Sequence, residues 1–173
     1  MPYAENSKVG VDRTVEQIRK VLSQYGGTGF GYMSDSQQGV EQIMFRVPSS
    51  EGVALEIKYQ LPLPSPSDFA LTASGRRRKS ESAAQEAFDQ AVRSLWRLAY
   101  ISIKSKLEMT RRGLTVIERE FFHDIVVPGS GGRTVGDIVK PQLERAYTRG
   151  LPSGEAPLML SSPGSGRDGT DQR

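Results

Sequence analysis

The 173-residue chain has no cysteine and a single histidine. These absences exclude a disulfide framework, a Cys-ligated zinc, an iron–sulfur cluster, a cysteine nucleophile and any multi-histidine metal site. No cofactor is expected. No stretch approaches the roughly 20 apolar residues of a membrane span, and no membrane partner is expected. The start, Met1-Pro2-Tyr3-Ala4-Glu5-Asn6, lacks the basic-then-apolar order of a secretory signal, so the expectation is a soluble cytoplasmic protein. The hydrophobic fraction is low at 36%, and 18 Gly with 10 Pro place part of the chain outside any core.

What is present divides by periodicity. Val15, Ile18, Leu22 and Tyr25 fall at helical spacing, with Thr14 and Gln17 as a capping box and Gly26-Gly27 as the stop. From Thr28 the period becomes two. Phe30 and Tyr32, then Ile43, Phe45 and Val47, predict two strands joined as a hairpin across Asp35–Gly39. Val53, Leu55, Ile57, Tyr59 and Leu61 make one apolar face of a third strand, paired to the second through the turn Pro48–Gly52. Residues 62–80 lose periodicity and end in Gly75-Arg76-Arg77-Arg78-Lys79-Ser80. Residues 81–112 contain neither Pro nor Gly and predict one long helix, capped by Ser80 or Ser82 and stopped by Gly113. Thr115-x-x-Glu118 opens a shorter helix with Val116, Phe121, Phe122 and Ile125, and Pro128–Gly132 is a turn. Thr134-x-x-Asp137 starts a last helix that Pro141 should kink or restart. The expected fold is α+β, in the order α-β-β-β-α. A three-stranded antiparallel sheet packs on the long central helix, and two short helices follow. A flexible leader at 1–11 precedes a single domain at 12–150. A disordered tail at 151–173 follows, where Gly, Pro and Ser supply 11 of 23 residues.

The whole-chain charge of +3 conceals a concentration. Residues 76–112 hold ten basic groups against Glu81, Glu86, Asp89 and Glu108, a net +6 that leaves −3 for the rest. At about 100° per residue, Arg93, Arg97, Lys104 and Arg111 fall within roughly 40° of one another, a stripe with no matching acids. A basic stripe behind a basic loop suits phosphate-backbone binding, because Lys and Arg displace condensed counterions without base-specific geometry. The expectation is nucleic acid as partner. Arg76, Arg77, Arg78 and Lys79 would hold phosphates, and Arg93, Arg97, Lys104 and Arg111 would line the track. The bland alternative is a solvated helix face, or one that meets an acidic protein as an interaction module. Phe30, Tyr32, Phe45, Tyr59 and Trp96 read as packing residues. Glu118, Glu120, His123 and Asp124 form the densest cluster of catalytic residue types, but their side chains point to different sides of a helix, so no catalytic or metal role is assigned.

The α-β-β-β-α order, with Gly75–Ser80 followed by Ala83, Ala84 and Ala87, resembles double-stranded-RNA-binding domains, although the 62–74 insertion and the long helix depart from them. The segment from Gly29 to Gly113 is similar in plan to single-strand annealing proteins of phage and eukaryotic recombination. That resemblance implies single-stranded DNA binding in phage-type recombination or replication, and a homo-oligomer. Gly75–Ser80, Leu95–Glu108 and Gly132-Arg-Thr-Val-Gly136 also look like small uncharacterised proteins of bacteriophages and prophages. This likeness covers about residues 12–150, implies a bacterial host cell, and carries no activity with it.

Overall fold

The computed structural model describes residues 7–35, 39–72, 74 and 80–149. The basic run Arg76–Lys79, most of the leader at 1–11 and the tail at 151–173 lie outside them. The elements are α1 (Val11–Gln24), β1 (Thr28–Asp35), β2 (Val40–Pro48), β3 (Ala54–Pro62), α2 (Glu81–Arg111), α3 (Ile117–Glu120) and α4 (Val135–Arg149). Short 3₁₀ turns occur at Pro66–Phe69 and Phe122–Asp124. The strands form an antiparallel sheet in the order β1-β2-β3, so the expected α+β class is the observed one. Two compact units divide between Ile138 and Val139, and the hydrophobic core belongs to the first.

Alternation along the strands builds one apolar face. Tyr32 pairs with Ile43 and Phe30 with Phe45, while Ile43, Phe45 and Val47 stand opposite Tyr59, Ile57 and Leu55. Because successive side chains point to opposite faces, all of these share the side covered by the helices. Val15, Ile18, Val21 and Leu22 of α1, with Trp96, Ala99, Ile103 and Leu107 of α2, close the same core over that face. Trp96 is fully buried, with Tyr32 edge-on to it at 5.8 Å. Both long helices end in the same way. Gly26 and Gly113 take positive φ, and the residue after each donates back five positions, Gly27 to Leu22 and Leu114 to Met109. These bonds satisfy carbonyls that a helix end leaves free.

Several local expectations are corrected. Thr14 is not the cap of α1: the helix begins at Val11 after Gly10, and the buried Thr14 hydroxyl donates to Gly10 O at 3.1 Å. Thr115 and Glu118 form no capping box either. Thr115 Oγ1 has no partner, and Glu118 accepts from Ser50 N at 2.9 Å and Ser50 Oγ at 2.7 Å, tying α3 to the β2–β3 turn. The expected helix through Ile125 stops at Glu120, and Ile125 bridges to Ile57 on the free side of β3. Val126 N donates to Glu56 O at 2.8 Å. Val53 lies outside β3 and is exposed. Pro141 does not restart the last helix, which runs through it. The Thr134–Asp137 box forms as expected, each residue's N–H bonded to the other's side chain, and Ser80 caps α2 through Ala83 N.

Burial of Ile103 predicts that Ile103→Ala lowers the unfolding free energy by about 2–5 kcal/mol in urea denaturation. Leu114→Ala, at a side chain 72% exposed, is expected to change it by about 0.5 kcal/mol or less. Equal effects would show that the core is misassigned.

Candidate nucleic-acid interface

The stripe on α2 is brought against α1. The two helices run in the same direction: Gln90 Nε2 donates to Ser7 O at 3.0 Å, Arg97 Nη1 to Gln17 Oε1 at 2.7 Å, and Tyr25 OH to Glu108 Oε2. Arg93, Arg97, Lys104 and Arg111 therefore line the α1–α2 seam as a row. Their states differ. Arg93 is half-buried and gives two hydrogen bonds to Gln90 Oε1. Arg97 is half-buried between Gln17 and the Tyr100 ring, 4.6 Å from its centroid. Arg111 pairs with Glu108 at 2.8 Å, as does Arg112. Lys104 is exposed, with its ammonium 5.9 Å from the Tyr100 centroid.

The stripe is thus not free of acids. Glu108 neutralises part of its end, and the helical repeat places Glu86 on the same line one heptad before Arg93. Periodicity locates a side chain on a wheel, but not the neighbours that a second helix brings to it. Two cations were missed for the same reason. Arg13, Gln17, Lys20 and Gln24 fall within roughly 60° of one another on α1. The bond from Arg97 to Gln17 shows that this side borders α2. Arg13 and Lys20, both exposed, thereby flank the same seam from the opposite helix. A helical wheel of α1 carries the signal, although nothing in it says which side meets α2.

The His123 cluster has come apart. Glu118 is engaged with Ser50, and Lys106 Nζ donates to Glu120 O at 2.7 Å and stands 4.0 Å from Asp124. His123 Nδ1 lies 3.4 Å from Asp124 Oδ1, and its ring packs where Gly136 leaves room: a Cβ there would be 2.2 Å from Nε2. Lys58, Lys106, His123, Asp124 and Thr134 line an open cleft of about 400 Å³ beside β3. Among the described residues no three His, Asp or Glu side chains come together as a metal site. At the edge of the core, the half-buried Glu41 faces the Trp96 indole. Burial raises its carboxyl pKa and the indole N–H pulls it back, yet neither Glu41 Oε2 nor Trp96 Nε1 reaches hydrogen-bonding geometry.

Glu108 is the electrostatic hinge of the seam. Hydrogen bonds from Arg111 first, then Tyr25 and Arg112, hold its carboxyl far below the ordinary 4.5. A carboxyl depressed in the folded state stabilises above its unfolded pKa, and that contribution fades as pH falls from about 4.5 toward the native value. Glu108→Gln is expected to flatten the acid limb of stability measured by urea unfolding between neutral pH and pH about 3. A limb as steep as in the unsubstituted protein would remove Glu108 from this role. No protein-family model matches the chain, nor does any curated protein or solved structure.

Proposed function

We propose that the protein binds nucleic acid, with single-stranded DNA preferred, along the α1–α2 seam. The observation that carries the reading is the convergence of cations from two helices, Arg13 and Lys20 with Arg93, Arg97, Lys104 and Arg111, on one line. From Arg93 to Arg111 that line is about 27 Å long at 1.5 Å per residue. A narrow row of charge follows one phosphate backbone, whereas a duplex presents two strands across a major groove about 12 Å wide. Two of the six cations are already positioned: Gln90 and Gln17 hold Arg93 and Arg97 without cancelling their charge. Arg76–Lys79, just ahead of α2 in sequence, add four further cations to the same reading. The resemblance to annealing proteins sets the context as phage-type recombination or replication.

Duplex RNA is the second reading, favoured by one observation. Two parallel helices cover one face of a sheet ordered β1-β2-β3, and a basic run precedes the second helix, which is the plan of double-stranded-RNA-binding domains.

Titrating labelled single-stranded DNA, duplex DNA and duplex RNA over a salt series separates the readings. Tightest binding is expected for single-stranded DNA. Lys20→Ala with Lys104→Ala is expected to lower the slope of log affinity against log salt by about 1.4, at roughly 0.7 per lost phosphate contact. Preference for duplex RNA would select the second reading. Absence of binding to all three at low salt would overturn both, and favour an acidic protein partner.

A further inference from the structure

The six cations of the α1–α2 seam differ in chemistry as well as in partners. Lys20 and Lys104 end in compact, strongly hydrated ammonium groups, whereas a guanidinium is planar, weakly hydrated and able to stack through its faces. Arg97 is such a plane, fixed from two helices. Its Cζ lies over the Tyr100 ring, 4.6 Å from the centroid, and its Nη1 donates to Gln17 Oε1 of α1 at 2.7 Å. Tyr100 is itself half-buried and packs on the hydrophobic core, so the ring is a fixed support. A contact beneath the plane and a bond at its edge leave the guanidinium little freedom to turn. Both supports are uncharged. Arg19 and Arg111 also lie over rings, but at 5.5 and 5.9 Å, and each shares its charge with a carboxylate, Glu16 and Glu108 respectively. Arg93 is bonded to Gln90, a neighbour on its own helix.

We propose that Arg97, laid on Tyr100, is a stacking platform for one unpaired nucleobase, and that this contact rather than the charge of the row sets the preference for a single strand. The inference rests on the reading of the seam as a nucleic-acid interface. An aromatic ring against one face of a guanidinium leaves the other face for a second flat group, and Arg97 is half-buried, not enclosed. Bases of a single strand offer their faces to such a platform, and arginine planes and aromatic rings are their usual partners. Within a duplex each base is already stacked on its neighbours. Phosphate contacts carry no such discrimination, because single strand and duplex present the same charged backbone. The neighbours suit the assignment. Arg93 stands four residues before Arg97 and Lys104 seven after it, about 6 Å and about 10 Å along α2, so phosphates on either side of a base at Arg97 meet a cation. The exposed Lys20 and Lys104 hold phosphate, while the half-buried Arg97 is set apart for the base.

Binding of the full chain to two labelled strands of equal length tests it, one of thymidine nucleotides and one of abasic sugar phosphates. At one salt concentration the unsubstituted protein is expected to bind the thymidine strand about 5- to 150-fold more tightly, the worth of one stacked base. Arg97→Lys, which keeps the charge and removes the plane, is expected to bind both strands alike, at the affinity the unsubstituted protein has for the abasic one. Its far-ultraviolet helix signal and urea midpoint report whether the fold survives. If they fall, Gln17→Ala, which frees the guanidinium edge and leaves Arg97 in place, is expected to narrow the same preference. Equal affinity of the unsubstituted protein for the two strands overturns the platform and leaves the seam as a phosphate track. So does a preference that survives intact in Arg97→Lys or, where that variant does not fold, in Gln17→Ala, because the bases are then read elsewhere. Failure of the unsubstituted protein to bind either strand at low salt removes the seam reading itself, and the platform with it.

Discussion

Because Trp96, Ala99, Ile103 and Leu107 leave water together, α2 sits on the sheet at one rotation about its own axis. Turning it by a single residue, about 100°, would bring charged groups into a core lined by Ile43, Phe45 and Ile57, at a cost of several kcal/mol for each unpaired charge. With the rotation set, the placement of every other side of the helix follows. The side holding Arg93, Arg97, Lys104 and Arg111 meets α1, the side holding Ser102 and Lys106 meets Tyr59 of β3, and the far side carries the uncharged Leu98 and Ile101. A cationic seam and an uncharged side on one helix are two consequences of the same packing constraint.

The seam also shows how a folded protein divides like charges among different tasks. Arg97 spans two helices, bonded to Gln17 and laid against Tyr100, so its guanidinium is placed before any ligand arrives. Arg111 and Arg112 share Glu108, and at that end three charged groups leave a net of one positive charge. Lys104, Lys20 and Arg13 remain at the surface, where attraction to an anion is weaker per group but requires no partner to be released. A wheel diagram counts these cations as equals, whereas their surroundings do not make them so.

Much of the fold was legible because burial imposes a period. Residues alternating by two in Phe30–Tyr32, Ile43–Val47 and Leu55–Leu61 became a three-stranded sheet in sequence order, and the stretch free of Pro and Gly became α2. The misreadings share a cause. Thr14 and Thr115 each begin a pattern suited to a capping box, but capping depends on where packing lets the helix start. The core draws Val11 into α1, so Thr14 falls inside the helix. Glu118 finds Ser50, 68 residues away, which no local pattern announces. The spacing of Ile125 suits a helix, yet it completes the edge of β3, because the free backbone of an edge strand offers partners that a short helix does not. Of the candidate site, the α2 row was visible, while its partners on α1 were not.

The sequence by itself determined the element order, the apolar faces, the single basic concentration within a nearly balanced chain, and the chemistry excluded by having no cysteine and one histidine. Those properties follow from residue type and short-range spacing, which local sterics and burial convert directly into helices and strands. Only the tertiary structure decided which of the described cations are held by hydrogen bonds or ion pairs, that Arg13 and Lys20 stand on the side of α1 that borders the row, and that the carboxylates around His123 face apart. Each of these depends on groups far apart in sequence meeting at hydrogen-bonding distance. That distance is set by how the helices seat on the sheet and is not encoded in the spacing along either one.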